Sequence, residues 1–159
     1  MARNRPVKAG KGERGQTLVE FSVVLLAFLM LVFGVIEFAR LYESWVVVQH
    51  AAREGARYGV TGRADCAASS PSRETCIAYT AQNSLANLST ADSSVSTKSW
   101  DYPNYTTSVS GAGNACDVLE VDVTYNHKIA APIISNIIGT TVTLHAKERM
   151  INEPFATCQ

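Results

Sequence analysis

The chain has 159 residues, 47% of them hydrophobic, and its 14 basic and 14 acidic side chains balance to a net charge of zero. Its basic N-terminus carries no aromatic residues to stack on bases, which argues against a nucleic-acid-binding protein. Neither the Gly-x-Ser-x-Gly nor the His-Glu-x-x-His motif occurs, and there is no phosphate-binding glycine loop. His50, His127 and His145 are scattered, and the cysteines form no CxxC pair. We therefore expect no enzyme, no cofactor and no metal site.

Residues 1–15 form a basic leader that contains five basic side chains and one acidic side chain, Glu13. Its proline, glycines and charges predict a segment without regular structure. Positive residues that flank an apolar span remain in the cytoplasm. The leader therefore predicts a cytoplasmic N-terminus, with the chain after about residue 40 outside the cytoplasmic membrane.

An apolar run bounded by Glu20 and Glu37 follows the leader. The residues between the two glutamates would span roughly 24 Å, and flanking apolar residues extend the run toward a hydrocarbon core of about 30 Å. This predicts a transmembrane helix over residues 16–39. A cleaved secretory signal is the alternative, but its apolar region would be shorter and would end at small residues. Here the sequence continues without a break, so a retained single-pass anchor is favoured.

Residues 40–62 are predicted to extend this helix as an amphipathic segment that stops at Thr61-Gly62. Apolar side chains at steps of three and four residues predict a packing seam: Phe38, Leu41, Trp45, Val48 and Ala52. Small residues over 51–59 predict close packing against the protein's own sheet, with a partner helix as the alternative. The charged residues among them are expected on a solvated face, with partner docking as the alternative: Arg53, Glu54 and Arg57.

Residues 63–159 are predicted to form the extracytoplasmic domain. A helix is expected at about 73–88, and alternating apolar and polar residues predict strands at 119–125 and 141–147. The bridge between these strands, residues 130–139, is too short for a crossover that carries a full helix, so the strands should pair antiparallel. The predicted fold class is α+β, a long transmembrane and amphipathic helix packed on a small antiparallel sheet.

The segment 89–116 is rich in Ser, Thr, Asn and Gly and is predicted to be a long loop with at most one irregular strand. Trp100, Tyr102 and Tyr105 are expected to form its local core. A surface for binding sugars or another surface is the alternative for these three aromatic residues.

All four cysteines follow the predicted span, so they lie on its oxidising side and predict disulfide bonds. Four cysteines allow three pairings. We favour Cys66–Cys76 and Cys116–Cys158, which would contribute about 3 and about 4 kcal/mol by loop entropy.

Glu20 is a carboxylate at the edge of a membrane span, a costly position that calls for a partner or a function. It is the fifth residue after Gly15, in a stretch that reads Gly15-Gln-Thr-Leu-Val-Glu-Phe21. This stretch resembles the processing site of type IV pilin-like precursors. The resemblance implies that a prepilin peptidase cuts after Gly15 on the cytoplasmic side and leaves a free amine on Gln16.

A longer set of motifs resembles the TadE-like pseudopilins: Arg14-Gly15, Leu18–Phe21, Gly34–Arg40, Ala51–Tyr58, Val121–Tyr125, Pro132, Thr141–Leu144 and Arg149-Met150. The middle of the chain, residues 63–116, is not matched. The membrane run also lacks the proline that many relatives carry, which predicts a straighter helix.

The resemblance implies a non-enzymatic, minor pseudopilin-like component that assists assembly of a tight-adherence (Flp-type) pilus or a related secretion machine. Its implied partners are other pilin-like subunits, the assembly platform, the prepilin peptidase and the membrane. Assembly or packing contacts are expected at Glu20, Phe21, Glu37, Arg40, Arg53, Glu54, Gly55 and Arg57. In pilin-like packing, Glu20 of one subunit would pair with the Gln16 amine of its neighbour. The alternative is a membrane-anchored extracytoplasmic binding module that is never processed.

Overall fold

The computed structural model describes residues 13–158. Residues 1–12 of the predicted leader lie outside the described range. The last three residues of the leader, 13–15, belong to the first helix. In chain order, the elements within the described range are α1 Glu13–Gly59, α2 Arg73–Asn83, a 3-10 turn Thr90–Asp92, β1 Ser93–Trp100, β2 Ser108–Ser110, β3 Val118–Lys128, α3 Pro132–Ile138 and β4 Thr141–Ile151.

Helix α1 runs without interruption for 47 residues, about 70 Å at 1.5 Å per residue. The segment contains no proline that would interrupt it. The chain leaves the helix at Gly59 and turns at Gly62, which has a positive φ of 71°. A Cβ on Gly62 would lie 2.5 Å from Cγ of Phe155, so both backbone conformation and space favour glycine there. The predicted helix end at Thr61-Gly62 therefore lies within this turn.

The strands form an antiparallel sheet in the order β2-β1-β3-β4. Strands β3 and β4 pair over their full lengths, with Val123 opposite Ala146, which confirms the predicted antiparallel pairing. The apolar face of β3 is buried: Leu119, Val121, Val123 and Tyr125. Its other face pairs acidic residues with basic residues of β4, as in Asp122 and Lys147 at 3.1 Å. The observed α+β fold, a long helix on an antiparallel sheet, is the predicted one.

The prediction of a long loop over 89–116 is wrong. Strand β1 occupies Ser93–Trp100, pairs with β3 on one side and with β2 on the other, and so lies inside the sheet. Its sequence SSVSTKSW is poor in the residues that favour strands. Its side chains do alternate between half-buried and exposed as far as Lys98. Pairing with the strongly apolar β3 therefore outweighs the weak local preference of β1.

The predicted packing seam of α1 is wrong in part: Val48 and Ala52 are buried as predicted, but Glu37 and Ser44 are buried in place of Phe38 and Trp45. Phe38 is 68% and Trp45 is 44% exposed, so neither belongs to the core. The side chains that face the sheet and α2 are smaller or polar: Glu37, Ser44, Val48, Ala51, Ala52, Gly55, Ala56 and Gly59. Small residues let the helix backbone approach the sheet closely, whereas the large aromatic rings cannot fit between them.

Helix α2 covers the sheet and the end of α1. Ser72 caps it with a capping box formed with Thr75, an arrangement that satisfies two free N–H groups of the first turn. Ile77, Ala81 and Leu85 are fully buried, although the helix itself ends at Asn83, before the predicted residue 88. The helix is therefore shorter than predicted.

Candidate functional site

The residues of the predicted processing site lie on the first turns of α1, away from the sheet. Gly15, Gln16 and Glu20 are all exposed. The amide Nε2 of Gln16 donates a hydrogen bond of 3.2 Å to Oε1 of Glu20. Residues four apart on a helix share a face. The backbone nitrogen of Gln16, which cleavage after Gly15 would turn into a free amine, therefore lies one turn from Glu20.

Gly15 is not required by the fold. It lies within a regular helix, and a Cβ built on it would meet nothing within 4 Å. Glycine costs an α-helix about 1 kcal/mol relative to alanine. A glycine that carries this cost without a packing role fits a position that another protein must recognise.

The first half of α1 is apolar and uncovered by the rest of the chain. Among the described residues, one helix is long and apolar enough to cross a membrane, over Gly15–Gly59. Its most apolar window of 18 residues has a mean hydropathy of 2.7 and no buried residue. Phe21 is 64% exposed. By length and composition, α1 fits a single-pass membrane anchor.

The second glutamate of the span, Glu37, is buried against the outer domain. Its side chain accepts a hydrogen bond of 3.1 Å from the backbone N–H of Ala130 at Oε1. Its Oε2 lies 3.4 Å from Nη1 of Arg40, one turn further along α1. A carboxylate that leaves water needs such donors to offset its desolvation. Glu37 therefore joins the end of the membrane run to the connection that follows β3.

Sequence reasoning missed the side chains that gather near Glu37, because one of them, His127, comes from a distant position. His127 on β3 is buried and points Nε2 toward Oε1 of Glu37 at 3.7 Å. Its Nδ1 lies 2.9 Å from the hydroxyl of Ser44 on α1. Positions 37 and 44 lie two helical turns apart on one face. This spacing was the signal in the sequence that Glu37 and Ser44 lie on the same side of α1. Nothing in the sequence indicated that the strand residue His127 would meet them.

Glu37, His127 and Ser44 have the residue types of a hydrolytic triad, but the geometry favours a structural cluster. The Ser44 hydroxyl donates to the carbonyl of Arg40 at 3.0 Å, so its single proton is engaged by the helix backbone. The separation of 3.7 Å between His127 and Glu37 exceeds hydrogen-bond length. Ser44 is also 3% exposed, so its hydroxyl is largely shielded from solvent.

The other predicted assembly residues lie on the outer half of α1 and have separate roles. Gly55 faces α2, where a Cβ would lie 3.0 Å from Cβ of Ala81, so this part of the helix packs on its own domain as predicted. Arg53 is exposed and forms a weak ion pair of 3.8 Å with Glu148 of β4. Arg57 is exposed and Glu54 is half-buried. The structure does not bring these residues together with Glu20.

The two favoured cysteine pairs are the ones that the structure bonds. Cys66 and Cys76 join the loop after α1 to α2, with Cα atoms 5.4 Å apart. Cys116 and Cys158 join the start of β3 to the C-terminal segment, with Cα atoms 5.5 Å apart. Each pair therefore fastens an irregular segment to the core.

Hydrogen bonds reinforce both irregular segments. Asp65 accepts two hydrogen bonds from Arg63, and the bond from Arg63 lowers the pKa of Asp65. Arg73 donates to the carbonyls of Gly59 and Gly113 and covers the ring of Phe155 at 4.9 Å. Burial lowers the pKa of this guanidinium. Arg73 thereby ties the end of α1 to the loop before β3.

The predicted aromatic cluster is only partly a local core. Trp100 is half-buried, and the guanidinium of Arg149 lies 4.3 Å from its ring centroid. Tyr102 and Tyr105 form an edge-to-face pair with centroids 6.1 Å apart, yet both remain over a third exposed. Within the described residues, no group of three or more His, Cys, Asp or Glu side chains is arranged to hold a metal ion.

Comparison with protein families finds a match within the first helix of the chain. Residues 15–57 match the family described as TadE-like protein, which confirms the predicted resemblance for this segment, whereas the motifs after residue 57 lie outside the match. The matched segment begins at Gly15 and lies entirely within α1. No curated protein and no solved structure matches the chain. The match therefore shows a likeness of α1 to TadE-like proteins and does not extend to the sheet.

Proposed function

We propose that this chain, with its TadE-like segment at residues 15–57, is a minor pseudopilin-like component that assists assembly of a tight-adherence pilus or a related secretion machine. The observation that carries the proposal is the start of α1. An apolar helix surface that the other described residues leave exposed begins directly after Gly15, a glycine that the fold does not need. Glu20 follows about one turn later. This is the arrangement that a processed, helix-packing subunit requires.

The apolar surface of α1 must be shielded from water both before and after assembly. Before assembly, lipid covers residues 16–39, the predicted transmembrane segment. In an assembly, the helices of neighbouring pilin-like subunits replace part of that lipid, and close packing rather than a hydrophobic gain holds them together. Glu20 then enters a low-dielectric bundle, where a neighbour's Gln16 amine offsets part of its desolvation cost and fixes the axial register.

The protein carries out no reaction in this proposal. Glu37, Ser44 and His127 serve to hold the outer domain on the helix, because Glu37 accepts from the backbone N–H of Ala130 and Ser44 is hydrogen-bonded to His127. The cytoplasmic leader is removed by prepilin peptidase, and the disulfide-bearing domain lies outside the membrane. The alternative is an unprocessed, membrane-anchored binding module whose exposed Tyr102 and Tyr105 face its ligand.

The N-terminal residue of the mature protein, isolated from its native membrane, tests the proposal. We expect a start at Gln16. Gly15→Leu should abolish cleavage, because the peptidase then meets a large side chain, while α1 has room for that side chain at Gly15. Gly34→Leu is the matched control, since Gly34 lies in the same helix, a Cβ there would also meet nothing within 4 Å, and the variant should be cleaved normally. A mature start at Met1 or Ala2 would reject processing and favour the binding module.

A further inference from the structure

An aliphatic patch surrounds α3, the short helix between β3 and β4. Ile137 is 72% exposed and Ile138 is 60% exposed. Together with the half-buried Ile134 they form what we call the α3 face. This face lies beside α1, across an apolar groove of about 330 Å³. The residues that α1 contributes to the groove include Met30, Phe33 and Ile36, which are 44%, 49% and 50% exposed.

The segment around α3 has no charge. From Ile129 to Ala146 the sequence contains no Asp, Glu, Lys or Arg. The hydroxyl of Ser135 is bonded within the helix, to the carbonyl of Pro132 at 3.0 Å, so it is not presented to a partner. Exposed aliphatic patches of this kind are unfavourable in water and mark contact with another apolar phase.

The position of the α3 face along α1 identifies that phase. Glu37 and Arg40 line one end of the groove and Met30 lines the other. The seven-residue step from Glu37 to Met30 corresponds to about 10 Å along the helix. Interfacial segments bury their apolar side to a depth of about 5–10 Å. The α3 face therefore lies level with the last two turns of the apolar run, below the charged residues that mark its outer end.

We propose that α3 inserts into the outer leaflet of the membrane beside its own transmembrane helix, so that lipid covers the α3 face and the groove. This inference rests on the proposed membrane span of α1. Exposed apolar side chains of α1 and the side chains of Ile134 and Ile137 line the same groove. The side chain of Arg40, 47% exposed at the end of the groove, reaches the headgroup region from there.

The insertion gives the outer domain a second attachment to the membrane. The sheet then has one orientation over the bilayer, because α1 and α3 meet the membrane at separate points. The buried bond between Ala130 and Glu37 fixes the segment that leads into α3 at the level of the membrane surface.

The test uses the full-length chain in phosphatidylcholine–phosphatidylglycerol nanodiscs at one chain per disc, with a bimane label on a single added cysteine. Ile137→Cys and Ile138→Cys report on the α3 face, and both sites are exposed, so labelling should not disturb folding. Val109→Cys, 47% exposed on the far edge of the sheet, is the matched control. Leu26→Cys, in the middle of the apolar run, tests the span itself.

We expect doxyl groups near the lipid headgroups to quench the labels at 137 and 138 at least about twofold more than the label at 109, and aqueous iodide to do the reverse. Iodide quenching of 137, 138 and 109 alike would overturn the inference, as would protection of 137 and 138 from both quenchers. If lipid also failed to quench the label at 26, the membrane span, and with it the premise, would be wrong. Lipid quenching at 26 with iodide quenching at 137 and 138 would reject the inserted α3 alone.

Discussion

At the residue scale, the chain carries two glutamates at the ends of one apolar run, and their surroundings differ. Glu20 is exposed on a bare helix, with Gln16 as a side-chain partner. Glu37 is 7% exposed and is bonded to the outer domain. A carboxylate bonded to the outer domain stabilises the subunit, whereas an exposed carboxylate inside a membrane calls for a cation from elsewhere. We therefore assign intersubunit pairing to Glu20 only.

Glu20→Gln keeps the size of the side chain and removes its charge. We expect the variant to be cleaved normally and to lower pilus or secretion output at least about tenfold, the factor that corresponds to about 1.4 kcal/mol, because a neutral amide cannot neutralise the neighbour's amine. Glu43→Gln, at an exposed position on the same helix, is the control. Unchanged output from Glu20→Gln would show that register does not depend on this ion pair.

Glu37→Ala should destabilise the outer domain by about 1–3 kcal/mol. The substitution removes the acceptor of the Ala130 N–H and the carboxylate that faces His127. Thermal unfolding of the full chain in detergent measures the effect, with Glu43→Ala as the exposed control, for which we expect a change within about 0.5 kcal/mol. Equal unfolding temperatures for the two variants would mean that the Glu37 cluster contributes nothing to stability.

At the element scale, α1 performs two tasks in one unbroken helix. Its first half exposes large apolar side chains, and its second half carries small residues where it meets the sheet. The difference follows from what each half contacts, because lipid accepts any apolar surface whereas the sheet and α2 demand a close fit. Gly55 and Gly59 are the points of closest approach.

Gly59→Ala should destabilise the protein by about 1–3 kcal/mol, the usual cost of overpacking. A Cβ there would lie 2.5 Å from Cδ2 of Leu119 and 2.9 Å from Cδ1 of Ile77. Gly34→Ala is the matched control in the same helix, since its Cβ would meet nothing within 4 Å and alanine favours the helix by about 1 kcal/mol. Denaturant unfolding compares the two. A Gly59→Ala protein as stable as the Gly34→Ala protein would contradict the close packing.

At the scale of the whole molecule, the two disulfide bonds secure the segments that the sheet and helices leave irregular. The outer domain has roughly 100 residues, a size at which the core alone supplies modest stability. Cys66–Cys76 closes a short loop, with a sequence separation of 10, and Cys116–Cys158 a longer one, with a separation of 42. Loop entropy therefore favours the second bond as the larger contribution.

Replacing Cys116 and Cys158 together by alanine should cost about 4 kcal/mol, and replacing Cys66 and Cys76 together about 3 kcal/mol. Unfolding of each double variant in detergent, without reductant, gives the comparison. Non-reducing peptide mapping of the unaltered protein is the accompanying check on the pairing. Four free thiols in that map, or a linkage of Cys66 to Cys116 or Cys158, would contradict both bonds.

The sequence by itself determined the features that depend on neighbouring residues. The continuous α1, the strands β3 and β4, their antiparallel pairing and the TadE-like resemblance all followed from periodicity and local motifs. Each of these signals lies within a short stretch of chain, where helix and strand periods differ clearly.

Only the tertiary structure decided how distant residues meet. Strand β1 forms because β3 supplies the pairing that its serine-rich sequence does not favour, and the buried face of α1 excludes Phe38 and Trp45 because the sheet lies on the other side. The cluster of Glu37, Ser44 and His127 depends on a contact between residues 83 positions apart. The α3 face likewise lies beside the apolar half of α1 only because the sheet returns the chain there. Such contacts are selected by the packing of the whole domain, which no local pattern encodes.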